Sequence, residues 1–532
     1  MPNDCVTYQN SGYFSKLIID YLNQKEELKP LYNRFPTLEN FKFQIEEKEQ
    51  NFPFENRITL VNSLKNQCKN ITLSETSEKN INSLSLENTF TVTTGHQLNL
   101  FTGPLYFLYK IVSVINLTRQ LKEEYPKYNF VPVYWMATED HDFEEINYFN
   151  FKNKKIKWNR KSNGPVGRLS TEGLNEVFAF FSKELGIGNN ANYLKELFRK
   201  SYLENNKLTD ATRFLVNELF ASEGLVIMDG DDKELKKLLT PYCKEELLKQ
   251  TSYKEVNKIL LQLKEYNIQV NPREINLFYI EDNLRERIVY ENNIYQVLNT
   301  NYSFTENEIL IELENHPEKF SPNVILRPLY QEVVLPNLCY IGGGGELAYW
   351  FELKSNFEAN KITFPILLLR NSVLLVSKKQ ALKANKLELT WNDLFLSQEK
   401  LIEKATKELS KFEIDFSKQK ALLSSQFQDL IEIANKTDKS FIGAVKAQER
   451  KQIKGLENLE KRLLKAEKRV YTEQVKQIVL LQNELFPDQS LQERKNNLST
   501  YANEENLSII FNKLLKNSKK RVFFMLMFFL FC

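Results

Sequence analysis

Apolar positions in this chain fall into short runs and helical-period stretches, and the most regular set lies between Thr89 and Glu145. Thr89–Thr94 (TFTVTT) is β-branched and short, which predicts a buried strand, and Gly95 ends it. Thr102-Gly103 supplies an N-cap region and Pro104 an N1 residue for a helix in which Leu105, Leu108, Ile111, Val112, Ile115 and Leu121 make one apolar face. Phe130–Thr138 (FVPVYWMAT) is the next strand, with Pro132 tolerated near its start. Strand, helix and strand of these lengths form a βαβ unit, which requires a right-handed crossover and a parallel sheet.

Around this unit the pattern changes several times. Residues 13 to 85 have helical spacing interrupted by Pro30, Pro36 and Pro53, so short helices are expected on the outside of the first domain. Residues 150 to 220 are polar and mostly helical, an insertion. Gly224–Gly230 (GLVIMDG) is a short strand meeting an acidic turn of Asp229, Asp231 and Asp232, and a second insertion spans roughly 240 to 320. Val324–Leu326, Leu338–Ile341 and Ile366–Leu369 are three further apolar runs, the second leading into Gly342–Gly345 and a helix from about Leu347 to Phe357. From about Asp393 to Leu485 the chain is rich in Lys, Glu, Gln and Leu. Leu456, Leu459, Leu463, Ala466 and Val470 keep a heptad rhythm, and Asn435–Ser440 is a tip between two helices. An antiparallel helical hairpin is expected, its exposed seam binding a second copy.

Length and charge narrow the class. The 532 residues suggest two or three domains, and a formal charge of +3 gives no reason to expect a polyanionic partner. Lysines and arginines of the heptad region alternate with Glu457, Glu460, Glu467 and Glu473, a solvated face and no nucleic-acid site. Cys5, Cys68, Cys243, Cys339 and Cys532 form no CxxC pair, which argues against a zinc ribbon or disulfide framework and fits the cytoplasm. Residues 1 to 30 lack the apolar core of a secretory signal. The tail FFMLMFFLFC, residues 523 to 532, follows Lys519, Lys520 and Arg521, and has about half the length of a membrane-spanning helix. It reads as a final buried segment or an aberrant terminus, with no membrane anchor.

Three groups could carry chemistry. The loop from Gly95 to Gly103, with His96 and Gln97, lies between a strand's carboxyl end and a helix N-terminus, where an anion or oxyanion is favoured. A histidine there that only bonds the backbone is the plain alternative. Glu139-Asp140-His141-Asp142, with Glu144 and Glu145, follows the second strand and would face the same crevice. His96 and His141 could stabilise a transferring phosphate, or His and carboxylates could bind a divalent ion; for Asp142, Glu144 and Glu145 a solvated helix start accounts for the acids. Gly342, Gly343, Gly344, Gly345 and Glu346 let backbone approach a phosphate or sugar closely, but the spacing is neither GxxxxGK[ST] nor GxGxxG, and a tight turn reads as well. Arg327, Tyr330, Tyr349 and Trp350 flank that loop.

Four blocks, TTGHQLNLFTGPLYFLYKIVSVI, VPVYWMATEDHDFEEIN, FSPNVILRPLYQE and LPNLCYIGGGGELAYWFELK, resemble in order and spacing the bacillithiol biosynthesis cysteine-adding enzyme family, over about residues 1 to 500. The resemblance implies an α/β fold: a Rossmann-like parallel-sheet core over 1–385, similar to class I nucleotidyl transferases and aminoacyl-tRNA synthetases, with two mainly helical insertions. A C-terminal α-helical antiparallel coiled-coil domain over 386–500 would form homodimers, and 501–532 is an atypical tail where a core-returning end is expected. It implies a cysteine ligase that joins L-cysteine through an amide to the amino group of glucosaminyl malate, completing a low-molecular-weight thiol, with ATP as co-substrate and no assigned metal. His96, Asp140 and His141 would be catalytic, His96 stabilising phosphoryl charge and Asp140 or His141 positioning or deprotonating the amine. Gly95, Gln97, Gly103, Arg327, Gly342, Gly343, Gly344, Gly345 and Glu346 would bind substrate or nucleotide. Gly344 stands where the family's GGPGE loop has proline, which loosens the loop. The residues alone also allow a metal-dependent hydrolase or nucleotidyl transferase, and a non-catalytic dimeric scaffold.

Overall fold

Five parallel strands organise the molecule: β1 (Thr89–His96), β2 (Asn129–Met136), β3 (Val226–Asp229), β4 (Asn337–Gly342) and β5 (Ile366–Leu369), side by side in the order β5-β4-β1-β2-β3. The computed structural model that shows them describes residues 5–519 and 526–531. The chain winds outward through β2 and β3, then crosses back to β4 and β5, so the winding direction reverses between β1 and β4. In an open sheet the crevice at the strands' carboxyl ends beside such a reversal is where ligands bind. Threonines stitch it shut below: Thr91 and Thr93 donate to Asn337 Oδ1 at 3.2 and 2.9 Å, and Thr94 donates to the Ile341 carbonyl at 2.7 Å.

The crossover helix α1 (Tyr106–Glu124) departs from the expected single apolar face, because it is buried all round from Phe107 to Thr118. The sheet covers one side. The helix Leu507–Lys519 covers another, with Asn116 Nδ2 donating to the Leu515 carbonyl at 3.1 Å. Thr102-Gly103 does not cap α1. Phe101, Thr102 and Gly103 all have positive φ (46, 69 and 59°), and this turn is held from outside, Asn497 Nδ2 donating to the Phe101 and Gly103 carbonyls at 2.7 and 2.6 Å.

Of the three later apolar runs, two are β4 and β5. Val324–Leu326 instead opens a helix, because Asn323 Oδ1 accepts from the Ile325 and Leu326 N–H groups. The first insertion is a hairpin (Tyr148–Phe151 with Lys154–Lys157) followed by helices Leu174–Leu185, Asn189–Phe198 and Leu208–Phe220. The second carries a sheet besides its helices, the last of which is Glu306–Asn315. After α2 (Lys233–Lys249) and the helix Thr251–Leu260 it forms an antiparallel five-stranded sheet from Leu277–Glu281, Leu284–Glu291, Ile294–Val297, Ser303–Phe304 and Phe320–Pro322. Its central hairpin turns at Asn292-Asn293, both at positive φ (53 and 65°), a conformation Asn tolerates and that matches strand twist. Two more helices complete the core, α3 (Leu326–Val334) before β4 and α4 (Gly344–Phe351) after it.

Beyond β5, helices α5 (Ser417–Ala434) and α6 (Lys439–Val470) form the expected antiparallel hairpin, closed by Phe427, Ala434 and Val445 and by a Lys420–Glu460 ion pair at 2.6 Å. Leu459 and Val470 of the heptad seam are 52% and 69% exposed, while Leu456 and Leu463 are half-buried, so within one chain the seam is only partly covered. The chain then returns to the core. Helix Leu507–Lys519 packs on α1, and a strand at Leu526–Phe531 pairs with both Cys5–Thr7 and Val373–Val376, so the tail ends on the core as a sheet strand. Lys520, Arg521 and Cys532 lie outside the described residues. No helix among the described residues is long and apolar enough to cross a membrane.

Candidate active site

A cavity of about 770 Å³ opens at the carboxyl ends of β1, β2 and β4, and the antiparallel sheet of the second insertion forms its far wall. Both lips expected from the sequence face it. Gly95, His96, Gln97, Asp140, Arg327, Gly343, Gly344, Gly345 and Glu346 line it; His141, Gly103 and Gly342 do not. Gly103 is the turn that Asn497 clasps, a methyl on it would sit 2.5 Å from Asn99 Cβ, and its role is to let the chain turn. Gly342 ends β4, with its carbonyl accepting from the Arg370 N–H at 2.9 Å.

On the β1 lip, Gly95 leaves room for two neighbours: a methyl there would meet Tyr340 Oη at 3.4 Å and Arg327 Nη1 at 3.6 Å. Lys110, from the first turns of α1, donates to the Gly95 carbonyl at 2.7 Å and pairs with Glu346 at 2.6 Å. Glu346 also accepts from the Gly343 N–H (2.8 Å) and Tyr340 Oη (2.9 Å). Burial pushes the Glu346 carboxyl up, but Lys110 and these donors outweigh it and hold it below the usual range. The glycine loop is thus pinned to β1 and α1 by one lysine–glutamate pair. Two guanidinium donors remain open beside it: Arg327 Nη2 and Arg370 Nε are buried and have no partner among the described residues.

His96 is 8% exposed, between Tyr106 and Phe107, with ring centroids at 5.3 and 5.0 Å. Burial, then Lys110 and Arg370, press its pKa well below the usual histidine value, so the ring is neutral. A neutral ring meets a phosphoryl oxygen through an N–H hydrogen bond and not through charge. Its Nε2 is a buried atom without a partner among the described residues, which leaves a neutral imidazole able to hydrogen-bond a substrate.

On the β2 lip, Asp140 organises its own turn. One oxygen accepts from the His141 N–H at 2.7 Å and the other from Gln97 Nε2 at 2.8 Å, and the same Gln97 nitrogen reaches Glu145 at 2.8 Å. His141 is not itself in the lining but packs on two residues that are, receiving Arg285 Nη1 on its Nδ1 at 2.7 Å and lying against Phe278. Burial and then Arg285 lower its pKa. Glu139, next to them, is the acid that turns inward, 2.6 Å from Lys236 of α2. Lys236 is also 3.4 Å from Asp231, which holds Arg168 at 2.7 Å. No group of three or more His, Cys, Asp or Glu side chains placed to hold a metal ion occurs among the described residues.

Most of the site's charge was invisible to motif reading. Lys110, Arg273, Arg285, Arg287, Arg370 and Arg494 line the cavity, and Arg273, Arg287 and Arg494 have no side-chain hydrogen bond or ion pair among the described residues. A local signal existed for Lys110 alone, the one charge inside the apolar run Leu105–Ile115. Arg370 is fixed from the far end of the chain by Glu493, and a methyl on Gly343 would lie 3.8 Å from its Nε.

The comparisons agree with this architecture. Residues 1–371 match the family model described as bacillithiol biosynthesis BshC, N-terminal Rossmann-like domain, and residues 373–528 match that of its C-terminal coiled-coil domain. A Flavobacterium johnsoniae protein named "Putative cysteine ligase BshC" is 65% identical over 510 residues, covering 96% of each chain. Proteins of the same name from Cytophaga hutchinsonii (39% identical, 93% of this chain and 92% of that one) and Bacillus cereus (31%, 93% and 94%) also match. Two family models that together span the fold, and relatives that cover nearly all of it, show that the chain belongs to the bacillithiol biosynthesis BshC family.

Proposed function

We propose that this chain is an amide-forming ligase that activates the carboxyl group of L-cysteine with ATP and joins it to the amino group of glucosaminyl malate, completing bacillithiol. Membership of the BshC family carries the bacillithiol assignment, and the name of its relatives carries cysteine. One observation supports the rest: seven cationic side chains line the cavity against four carboxylates. A surplus of fixed positive charge in a walled crevice favours anionic ligands, and this reaction brings two of them together.

The positive groups fall into two zones. Arg327 and Arg370 stand with the N-terminus of α4 beside the glycine loop, which suits phosphoryl oxygens and the charge that develops when a carboxyl is activated. Arg273, Arg285 and Arg287 project from the opposite wall, and guanidinium groups match the two carboxylates of malate. A cysteinyl adenylate held at the first zone and attacked by an amine anchored at the second is the sequence of steps that this layout favours. Two copies would join through the exposed α5–α6 seam. The reaction belongs in the cytoplasm, which keeps cysteine reduced. A strain lacking this protein is expected to accumulate glucosaminyl malate and to contain no bacillithiol; unchanged bacillithiol would contradict the proposal.

A further inference from the structure

The cavity presents four carboxylates to a substrate, and two have both oxygens committed. Glu346 holds Lys110, the Gly343 N–H and Tyr340. Asp140 holds Gln97 and its own turn. Glu145 gives Gln97 one oxygen, Oε2, and is exposed to solvent. Glu139 differs. It is 8% exposed, it lines the cavity, and Lys236 approaches one oxygen, Oε1, at 2.6 Å. Lys236 itself is 1% exposed and lies behind Glu139, tied to Asp231 and donating to the Glu318 carbonyl at 3.2 Å, so it does not reach the cavity.

We propose that Glu139 is the catalytic residue that takes the proton from the attacking amine, with Lys236 as the positioning residue that holds its carboxylate; the assignment rests on the ligase reading above. The amine nitrogen's lone pair forms the C–N bond to the carbonyl carbon of cysteinyl adenylate. The C–O bond to the phosphate breaks, AMP leaves with that electron pair, and the N–H proton passes to Glu139. Burial raises the Glu139 pKa against the opposing pull of Lys236, which makes it a better proton acceptor than an exposed carboxylate. His96, the other candidate base lining the cavity, is a poor acceptor, because burial and two nearby cations disfavour its protonated form.

Hydroxylamine separates this role from activation, because it is largely unprotonated at neutral pH and intercepts an activated carboxyl without needing a base. Purified wild-type and Glu139→Gln proteins are each supplied with ATP and cysteine, plus either glucosaminyl malate or hydroxylamine. Glu139→Gln is expected to form amide about 100-fold or more slowly while forming cysteinyl hydroxamate at close to the wild-type rate. Glu139→Asp keeps the charge opposite Lys236 but withdraws the carboxylate, and a smaller loss of amide formation, again without loss of hydroxamate, is expected from it. Amide formation by Glu139→Gln at the wild-type rate would overturn the assignment. So would parallel loss of hydroxamate and amide in both variants, which would place Glu139 in activation or folding. Wild-type protein that forms neither product would instead overturn the ligase reading, and the assignment with it.

Discussion

Arg370 and Glu493 meet at 2.7 Å in the interior, although the whole coiled-coil hairpin separates them in sequence. Glu493 also accepts from Ser372 Oγ at 2.8 Å and from the Val373 N–H at 3.3 Å, so its carboxylate is fully engaged and Arg370 is locked with its Nε beside the glycine loop. Glu493→Ala leaves a buried guanidinium unpaired, which costs about 3–5 kcal/mol. The expected outcome is a lower urea midpoint together with a higher KM for ATP. An unchanged KM in protein that is still folded would detach Arg370 from nucleotide binding.

Glu352 gives a pH dependence of known sign. Its carboxyl, 1% exposed, accepts from the Gln269 and Val270 N–H groups, yet burial pushes its pKa up to about 7. A carboxyl whose folded pKa is raised stabilises the fold below its unfolded pKa, and that contribution is lost as pH rises towards 7. The loss reaches up to about 3 kcal/mol at about 1.4 kcal/mol per unit. Glu352→Gln keeps an acceptor without the charge, so the variant is expected to melt higher than wild type at pH 8 and no higher at pH 4.5. Equal differences at both values would show that Glu352 does not titrate in this window.

Gly344 is the first residue of α4, and Gly343 before it has φ −76° and ψ 170°. Those are the positions proline and its predecessor prefer, and a side chain there would make ordinary contacts with Ile18 at 3.4 Å and Phe14 at 3.6 Å. Gly344→Pro is expected to stabilise the protein by about 0.4–1 kcal/mol by restricting the unfolded chain. Thermal unfolding measures it, and a lower midpoint would mean the loop needs glycine's freedom.

The hairpin seam makes an assembly prediction. Leu459 and Val470 are exposed in the single chain, and a coiled-coil partner would bury them. Light scattering is expected to find a dimer for wild type and a monomer for Leu459→Glu combined with Val470→Glu. A wild-type monomer would contradict the dimer.

What could be read from the sequence was whatever is local. β1, β2 and α1 announced themselves by β-branched runs and a helical period, and the strand ends carried His96 and Asp140 to one crevice because a parallel sheet leaves no other arrangement. The second insertion hid its strands, since the Asn292-Asn293 turn lies between segments whose charged residues, such as Arg285 and Arg287, break the apolar alternation. Those charges face the cavity. Lys110 and Glu346 lie 236 positions apart, and Arg370 and Glu493 are 123 apart, so no spacing rule links either pair. His141 reaches the cavity only through a neighbour for a simpler reason: a residue next to a cavity-lining acid need not share its direction, and this ring is held against Arg285 of the cavity wall.

The most direct test is reconstitution with purified protein, ATP, L-cysteine and glucosaminyl malate, followed by mass spectrometry of the thiol products. The account predicts bacillithiol that depends on all three substrates and that falls when Arg327 or Arg370 is replaced by methionine. Correctly folded dimer that consumes no ATP and forms no bacillithiol would contradict it.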